Sequence, residues 1–80
     1  MEETRNNVIE ILKKYTFNKE VWQNYSDTSE LVKDLKINSA RIVDIILDIE
    51  EKFDIEVSNE VLERVFNIGD LVREIELLKS

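Results

Sequence analysis

Apolar residues recur at intervals of three and four along residues 42–53, which is the spacing of one face of an α-helix. Plotted at roughly 100° per residue, five of them fall within a sector of about 100°: Ile42, Ile45, Ile46, Ile49 and Phe53. A stripe of this width is typical of a helix that packs one side on a core. The spacing therefore predicts a helix that starts after Asn38 and Ser39 and ends near Phe53.

Three further helices are predicted from weaker patterns of the same kind. The first extends over about residues 2–14 and is followed by a long connection. A short third helix is expected to be capped by Ser58 or Asn59, and a fourth to follow Asn67. One Gly and no Pro leave few helix breakers. The predicted fold is an all-α single domain over residues 1–80, a small four-helix bundle with a long connection between its first two helices.

The long connection carries both aliphatic and aromatic residues. Asp27 or Thr28 is predicted to cap a short turn that directs three aliphatic side chains inward: Leu31, Val32 and Leu35. The first half of the connection contains four aromatic residues: Tyr15, Phe17, Trp22 and Tyr25. Large rings supply burial area to a small core, so packing of this half onto the bundle is favoured over a ligand site.

Composition narrows the range of functions. The chain has no Cys and no His, so it lacks a thiolate nucleophile, a thiolate metal site and the usual near-neutral acid–base group. A catalytic site is therefore not expected, and the neighbouring carboxylates Glu50 and Glu51 do not by themselves make a metal site. No apolar run exceeds three residues, which argues against a membrane-spanning segment or a secretory signal and favours the cytoplasm.

The formal charge of −7 arises within one segment of the chain. Residues 1–43 and residues 64–80 each contain equal numbers of acidic and basic side chains, whereas residues 44–63 contain eight acids and only Lys52 as a base. A negative field of this kind repels nucleic acids and anionic membranes and attracts basic partners. The expectation is a monomer that binds neither nucleic acid nor membrane and meets basic surfaces of other proteins.

One side of the predicted helix over residues 42–53 mixes apolar and acidic residues. Val43 and Leu47 fall outside the core stripe. They lie among four other residues of that side: Ala40, Asp44, Asp48 and Glu51. A purely structural surface is more often polar at such positions, so this mixed side is predicted to contact a partner.

Two segments, residues 34–44 (DLKINSARIVD) and residues 49–57 (IEEKFDIEV), resemble the acyl carrier protein family. The family pattern is approximately D-L-G-x-D-S-L-x-x-V-E, followed by L-E-E-x-F. The resemblance extends over nearly the whole chain, with the predicted helices in register. Four residues depart from the usual Gly, Asp, Leu and Pro of the family: Lys36, Asn38, Ala40 and Ser58. Together with the positive charge of Arg41, these departures indicate a divergent or specialised member.

The resemblance implies that Ser39 carries a 4′-phosphopantetheine arm, which a phosphopantetheinyl transferase attaches from coenzyme A. Acyl groups would be held as thioesters on the thiol of the arm and exchanged with acyl-loading and acyl-using enzymes that present basic patches. The pathways implied are fatty acid, lipid or secondary-metabolite synthesis. A chain without Cys would then obtain its thiol from the cofactor. A long acyl chain is implied to slip between the second and third helices, against four residues: Ile46, Ile55, Leu62 and Val65.

The same residues allow other interpretations. Taken alone, a serine at position 39 is typical of a helix N-cap. The acidic segment also suits an unmodified helical binding module, such as an inhibitor or immunity-type protein that covers a basic active site. Within the carrier class, a peptidyl or aminoacyl carrier remains open, because partner enzymes mainly decide the load, and the acidic surface favours the acyl type only modestly.

Overall fold

The computed structural model describes residues 2–79 of the chain. Four α-helices follow one another within this range: α1 (Glu2–Lys13), α2 (Ile42–Phe53), α3 (Asn59–Leu62) and α4 (Ile68–Lys79). Two 3₁₀ turns, Lys19–Trp22 and Ser39–Arg41, lie in the connection between α1 and α2. This described part of the chain is all-helical, which confirms the predicted bundle with its long first connection and short third helix. None of its helices combines the length and the apolar character needed to cross a bilayer.

The core lies between α1, α2 and α4 and is closed by residues of the connection. The buried residues of α2 all belong to the stripe seen in the sequence: Ile45, Ile46 and Ile49. Aliphatic residues from elsewhere complete the same cluster, among them Val8, Leu12, Leu31, Leu35, Ile37, Ile68, Leu71 and Ile75. Full burial of one such side chain contributes roughly 1.5–3 kcal/mol. This apolar contact therefore fixes which side of α2 faces inward.

Backbone hydrogen bonds fix the connection to the start of α4. The N–H of Leu31 donates to the carbonyl of Phe66 at 3.0 Å. The N–H of Gly69 donates to the carbonyl of Asp27 at 2.8 Å. The two segments approach so closely here that a Cβ on residue 69 would lie only 3.2 Å from that carbonyl oxygen, a tight contact that favours the glycine at this position.

Neither Asp27 nor Thr28 caps the turn that follows them, so that prediction is wrong. The Asp27 carboxylate instead accepts two hydrogen bonds from the guanidinium of Arg5 in α1, at 3.0 and 2.7 Å. The turn is ordered by Asp34, whose carboxylate accepts a hydrogen bond from the N–H of Glu30 at 2.8 Å. Asp27 therefore ties the connection to α1 rather than starting a helical turn.

Side-chain caps start α3 and α4 at the predicted places. The Ser58 hydroxyl accepts a hydrogen bond from the N–H of Val61 at 3.3 Å. At α4, the side-chain oxygen of Asn67 accepts from the N–H of Asp70 at 2.7 Å, and the Asp70 carboxylate accepts from the N–H groups of Phe66 and Asn67. This reciprocal arrangement satisfies N–H groups that the helix itself leaves unpaired.

The two sides of α2 are expected to differ in their effect on stability. Ile49→Ala removes a fully buried side chain and leaves a cavity, so the free energy of unfolding should fall by about 2–5 kcal/mol. Leu47→Ala removes a side chain that is 56% exposed and should change the free energy of unfolding by no more than about 0.5 kcal/mol. Urea unfolding followed by circular dichroism measures both values. Equal losses would show that the inward side of α2 is assigned wrongly.

Candidate functional site

Asn38 starts the helical segment that contains Ser39. Its backbone is extended, with φ −63° and ψ 128°, and its side-chain oxygen accepts a hydrogen bond from the N–H of Ala40 at 2.9 Å. Its carbonyl accepts a second hydrogen bond from the N–H of Arg41 at 2.8 Å. Asn38 is therefore the N-cap, in the place where the family pattern has Asp. The interpretation of Ser39 as the N-cap is wrong.

The Ser39 hydroxyl is left free by this arrangement. Ser39 is exposed, and its side chain forms no hydrogen bond with any residue from 2 to 79. Its carbonyl accepts from the N–H of Ile42, the first residue of α2. The Ser58 hydroxyl, by contrast, is used to cap α3. Ser39 thus presents a hydroxyl that another enzyme can modify without breaking a hydrogen bond of the fold.

Lys36, two residues before Asn38, has a left-handed backbone. Its φ is 60°, in a region that glycine adopts freely and other residues adopt at a cost of about 1–2 kcal/mol. The acyl carrier pattern has Gly at this position, so the backbone supplies a physical reason for that preference. The side chain of Lys36 is exposed and forms no ion pair within the described range.

The side of α2 that carries Val43 and Leu47 faces outward. Val43 is 62% exposed, and Ala40 and Glu51 are exposed on the same side. The Glu51 side chain has no hydrogen-bond or ion-pair partner among residues 2–79. The mixed apolar and acidic surface predicted from the sequence is therefore present on α2.

Two acids of that side, Asp44 and Asp48, are already paired within the chain. Asp44 lies 3.0 Å from a guanidinium nitrogen of Arg41. Asp48 accepts a hydrogen bond from the Tyr15 hydroxyl at 2.6 Å and lies 3.4 Å from the Lys14 ammonium. The negative charges of Asp44 and Asp48 are thus partly neutralised by these neighbours. The sequence pattern of α2 alone does not reveal this pairing.

The hydrogen bond between Tyr15 and Asp48 changes the titration of both groups. The Tyr15 hydroxyl holds the pKa of Asp48 below its ordinary value despite the opposing effect of burial, and Lys14 acts in the same direction. The same hydrogen bond, assisted by burial and by the nearby charge of Asp48, raises the pKa of Tyr15. The bond therefore favours the folded chain while the carboxyl is charged and the phenol is protonated.

A cavity of about 140 Å³ lies between α2, residues 62–66 and the connection. Three of the four residues predicted to form an acyl pocket line it: Ile46, Leu62 and Val65. Ile55 does not line this cavity, so its place in an acyl pocket stays a prediction. Asp54 ends α2 in a left-handed conformation, and Ile55 packs against the core beyond that end of the helix, whereas the cavity borders the first half of α2.

Two exposed apolar side chains form the rim of this cavity. Val32 and Phe66 both line it and are 50% and 63% exposed. The prediction that Val32 turns inward is therefore wrong. The turn that buries Leu31 and Leu35 leaves Val32 on its outer side.

The aromatic residues after α1 divide into packed and exposed ones. Tyr15 and Trp22 pack against the core, and the indole N–H of Trp22 donates to the Thr16 hydroxyl at 2.9 Å. Phe17 is 101% exposed and Tyr25 is partly exposed. The predicted packing of this part of the connection is therefore right for Tyr15 and Trp22 and wrong for Phe17.

A helical bundle with a free serine hydroxyl at the start of its second α-helix has the layout that the resemblance to carrier proteins implies. The chain is 46% identical to the acyl carrier protein of Helicobacter pylori over 48 residues, which are 60% of this chain and 62% of that protein. It is 46% identical to the acyl carrier protein of Helicobacter acinonychis, again over 48 residues. The match thus spans a little under two thirds of the length of these relatives.

The acyl carrier protein of Wolinella succinogenes is 40% identical over 53 residues, which are 66% of this chain and 70% of that protein. No protein-family model matches the chain. On the strength of these relatives and the helical fold, the chain belongs to the acyl carrier protein family.

We expect Tyr15→Phe to destabilise the protein in a pH-dependent way. The folded chain lowers the pKa of Asp48 and raises that of Tyr15, so their bond contributes most above the ordinary Asp value of about 4 and below the ordinary Tyr value of about 10. The fall in melting temperature should be largest near neutral pH and shrink as the pH falls below the ordinary Asp value of about 4 and Asp48 becomes protonated.

Thermal unfolding followed by circular dichroism at several pH values measures this difference. Tyr25→Phe is the matched control, because the Tyr25 phenol forms no hydrogen bond with the described residues. A loss for Tyr15→Phe that is the same at every pH would contradict the assigned role of the charged Asp48.

Proposed function

We propose that this chain is a carrier protein that holds acyl groups as thioesters on a 4′-phosphopantetheine arm attached to Ser39. It delivers them to partner enzymes of fatty acid, lipid or secondary-metabolite synthesis and is not itself an enzyme; the expected compartment is the cytoplasm. One observation carries the proposal: the Ser39 hydroxyl is exposed and unbonded at the start of α2 in a member of the acyl carrier protein family.

The residues around Ser39 suit an anionic phosphodiester. The N–H groups and the positive dipole end at the start of α2 favour an anion. Lys36 and Arg41 add positive charge on either side of Ser39 in the sequence, and both are exposed. When bound, the arm would supply the thiol that a chain without Cys does not have.

Attachment of the arm replaces a phosphoanhydride bond with a phosphodiester bond. The Ser39 oxygen bonds to the phosphorus next to the pantetheine part of coenzyme A, the anhydride bond breaks, and the adenosine bisphosphate leaves. The serine proton must pass to a base, because an unassisted hydroxyl is a weak nucleophile. The chain has no His, and no carboxylate of residues 2–79 contacts the Ser39 side chain, so we assign this base to the transferase.

The outward side of α2 is the proposed contact for partner enzymes. Val43 and Leu47 offer a small apolar area, and Glu51 supplies an unpaired negative charge beside them. Negative charge near the attachment point raises the rate of encounter with basic surfaces, while a small contact area lets the partner dissociate. Both properties suit a protein that serves the transferase and several acyl-handling enzymes in turn.

The apolar cavity beside α2 is the proposed site for the cargo. Ile46, Leu62 and Val65 provide its wall, and Val32 and Phe66 provide an apolar rim. Its volume of about 140 Å³ and its apolar walls suit a short acyl chain. An apolar lining favours an acyl load over an aminoacyl or peptidyl one.

Intact-mass analysis tests the attachment of the arm. After incubation with coenzyme A and a phosphopantetheinyl transferase of broad specificity, the protein should gain the mass of one phosphopantetheine. Ser39→Ala should gain none, whereas Ser58→Ala, which removes a capping hydroxyl of α3, should still be modified. No added mass on the native chain, or added mass on Ser39→Ala, would overturn the proposal.

Charge reversal on α2 tests the partner surface. Glu51→Lys should slow attachment of the arm, by roughly three- to tenfold at low salt, because it removes an unpaired negative charge from the proposed contact. Glu3→Lys makes the same charge change at an exposed position of α1 and should leave the rate nearly unchanged. Initial rates from mass spectrometry, with circular dichroism as a check on folding, give the comparison. Equal slowing by both variants would indicate an effect of net charge alone.

A further inference from the structure

A groove of about 780 Å³ shares no lining residue with the apolar cavity. Its walls are residues 14–17, which follow α1, and three residues of the segment that leads into α2: Lys36, Asn38 and Arg41. Ser39 lies between the last two of these in the sequence. The groove therefore begins next to the proposed attachment point.

The walls of this groove carry positive charge, in contrast to the chain as a whole. Lys14, Lys36 and Arg41 line it, and no carboxylate among residues 2–79 does. Lys36 forms no ion pair with any residue that the structure describes. Arg41 uses one guanidinium nitrogen for Asp44, which leaves further N–H donors of the fork available. An anion in this groove would meet at least two cations that have unused donors.

Phe17 adds an apolar surface to the same groove. It lines the groove with its whole side chain exposed, so it contributes nothing to the core. A ring in this position loses water contact only when something covers it. The walls of the groove thus offer two kinds of contact: cations for a negative group and an uncovered aromatic ring for a less polar one.

We propose, on the basis of the proposed function, that the arm carried by Ser39, while its thiol bears no acyl group, lies in this groove, with its phosphate facing Lys36 and Arg41 and its uncharged chain covering Phe17. The arm begins with an anionic phosphodiester and continues with methyl and amide groups, an order that matches the chemistry of the walls. Its tether at Ser39 makes binding intramolecular, so even weak contacts hold it there for much of the time. The thiol is then kept on the α1 side of α2 until a partner draws it out.

Amide chemical shifts of the apo and holo forms test the position of the arm. In the ¹⁵N-labelled full chain, attachment should shift the amides of residues 14–17 and of Lys36, in addition to the residues next to Ser39. The shifts at residues 14–17 should shrink at about 1 M salt, where the screening length falls to about 3 Å. These readings require no partner enzyme.

Alkylation of the terminal thiol gives a second reading. Lys36→Gln should speed alkylation of the holo form by about two- to fivefold, the scale of one exposed ion pair. Lys33→Gln, which changes an exposed lysine outside the groove, should leave the rate unchanged. Lys36→Gly removes the same charge at a backbone position that glycine favours, so it gives the comparison even if Lys36→Gln folds poorly.

The outcomes separate this inference from the proposed function. Suppose that mass analysis confirms the arm but the amide shifts are confined to residues 38–41, or fall instead on Ile46, Leu62 and Val65. This result overturns the groove assignment and leaves the carrier function standing. Equal alkylation rates for all variants also overturn it. Failure to attach any arm overturns both.

Discussion

The hydrogen bond between the Ala40 N–H and the Asn38 side chain determines the chemistry available at Ser39. The start of a helix needs an acceptor for its free N–H groups, and serine and asparagine are both preferred for that task. Because Asn38 provides the acceptor, Ser39 lies one residue further on, exposed and unbonded. Asn38 keeps the capping role of the family's Asp while removing one negative charge beside the serine.

The absence of that negative charge is part of a wider pattern, in which positive side chains flank the attachment point and most negative ones follow it in the sequence. The acids that set the net charge of −7 lie in residues 44–63, on α2 and beyond it. Lys14, Lys36 and Arg41 line the groove that begins beside Ser39, and Lys14 and Arg41 also pair with Asp48 and Asp44 at its border with α2. In the proposed function, the outward side of α2 meets basic partners, and the groove holds the anionic end of the arm. Partner and arm would then use different surfaces of one small bundle.

Local patterns predicted the fold and the outward side of α2 that carries Val43 and Leu47, because helix periodicity and caps depend on neighbours in the sequence. The stripe of α2 and the caps at Ser58 and Asn67 are of this kind. The features that were missed depend on contacts distant in the chain. The pairing of Asp48 with Tyr15 joins residues 33 positions apart, and no pattern within α2 signals it. Residue type likewise indicates average burial, so it gave Phe17 an inward position that the structure does not show.

The hydrogen bond from the Leu31 N–H to the Phe66 carbonyl joins the two parts of the chain that form the rim of the apolar cavity. Val32 follows Leu31 directly, so the two rim residues, Val32 and Phe66, are held at the two ends of one backbone contact. A backbone movement that separates these two segments widens the rim and stretches or breaks that contact. The rate at which the Leu31 amide hydrogen exchanges with solvent therefore reports on local opening of the cavity, separately from the unfolding of the bundle.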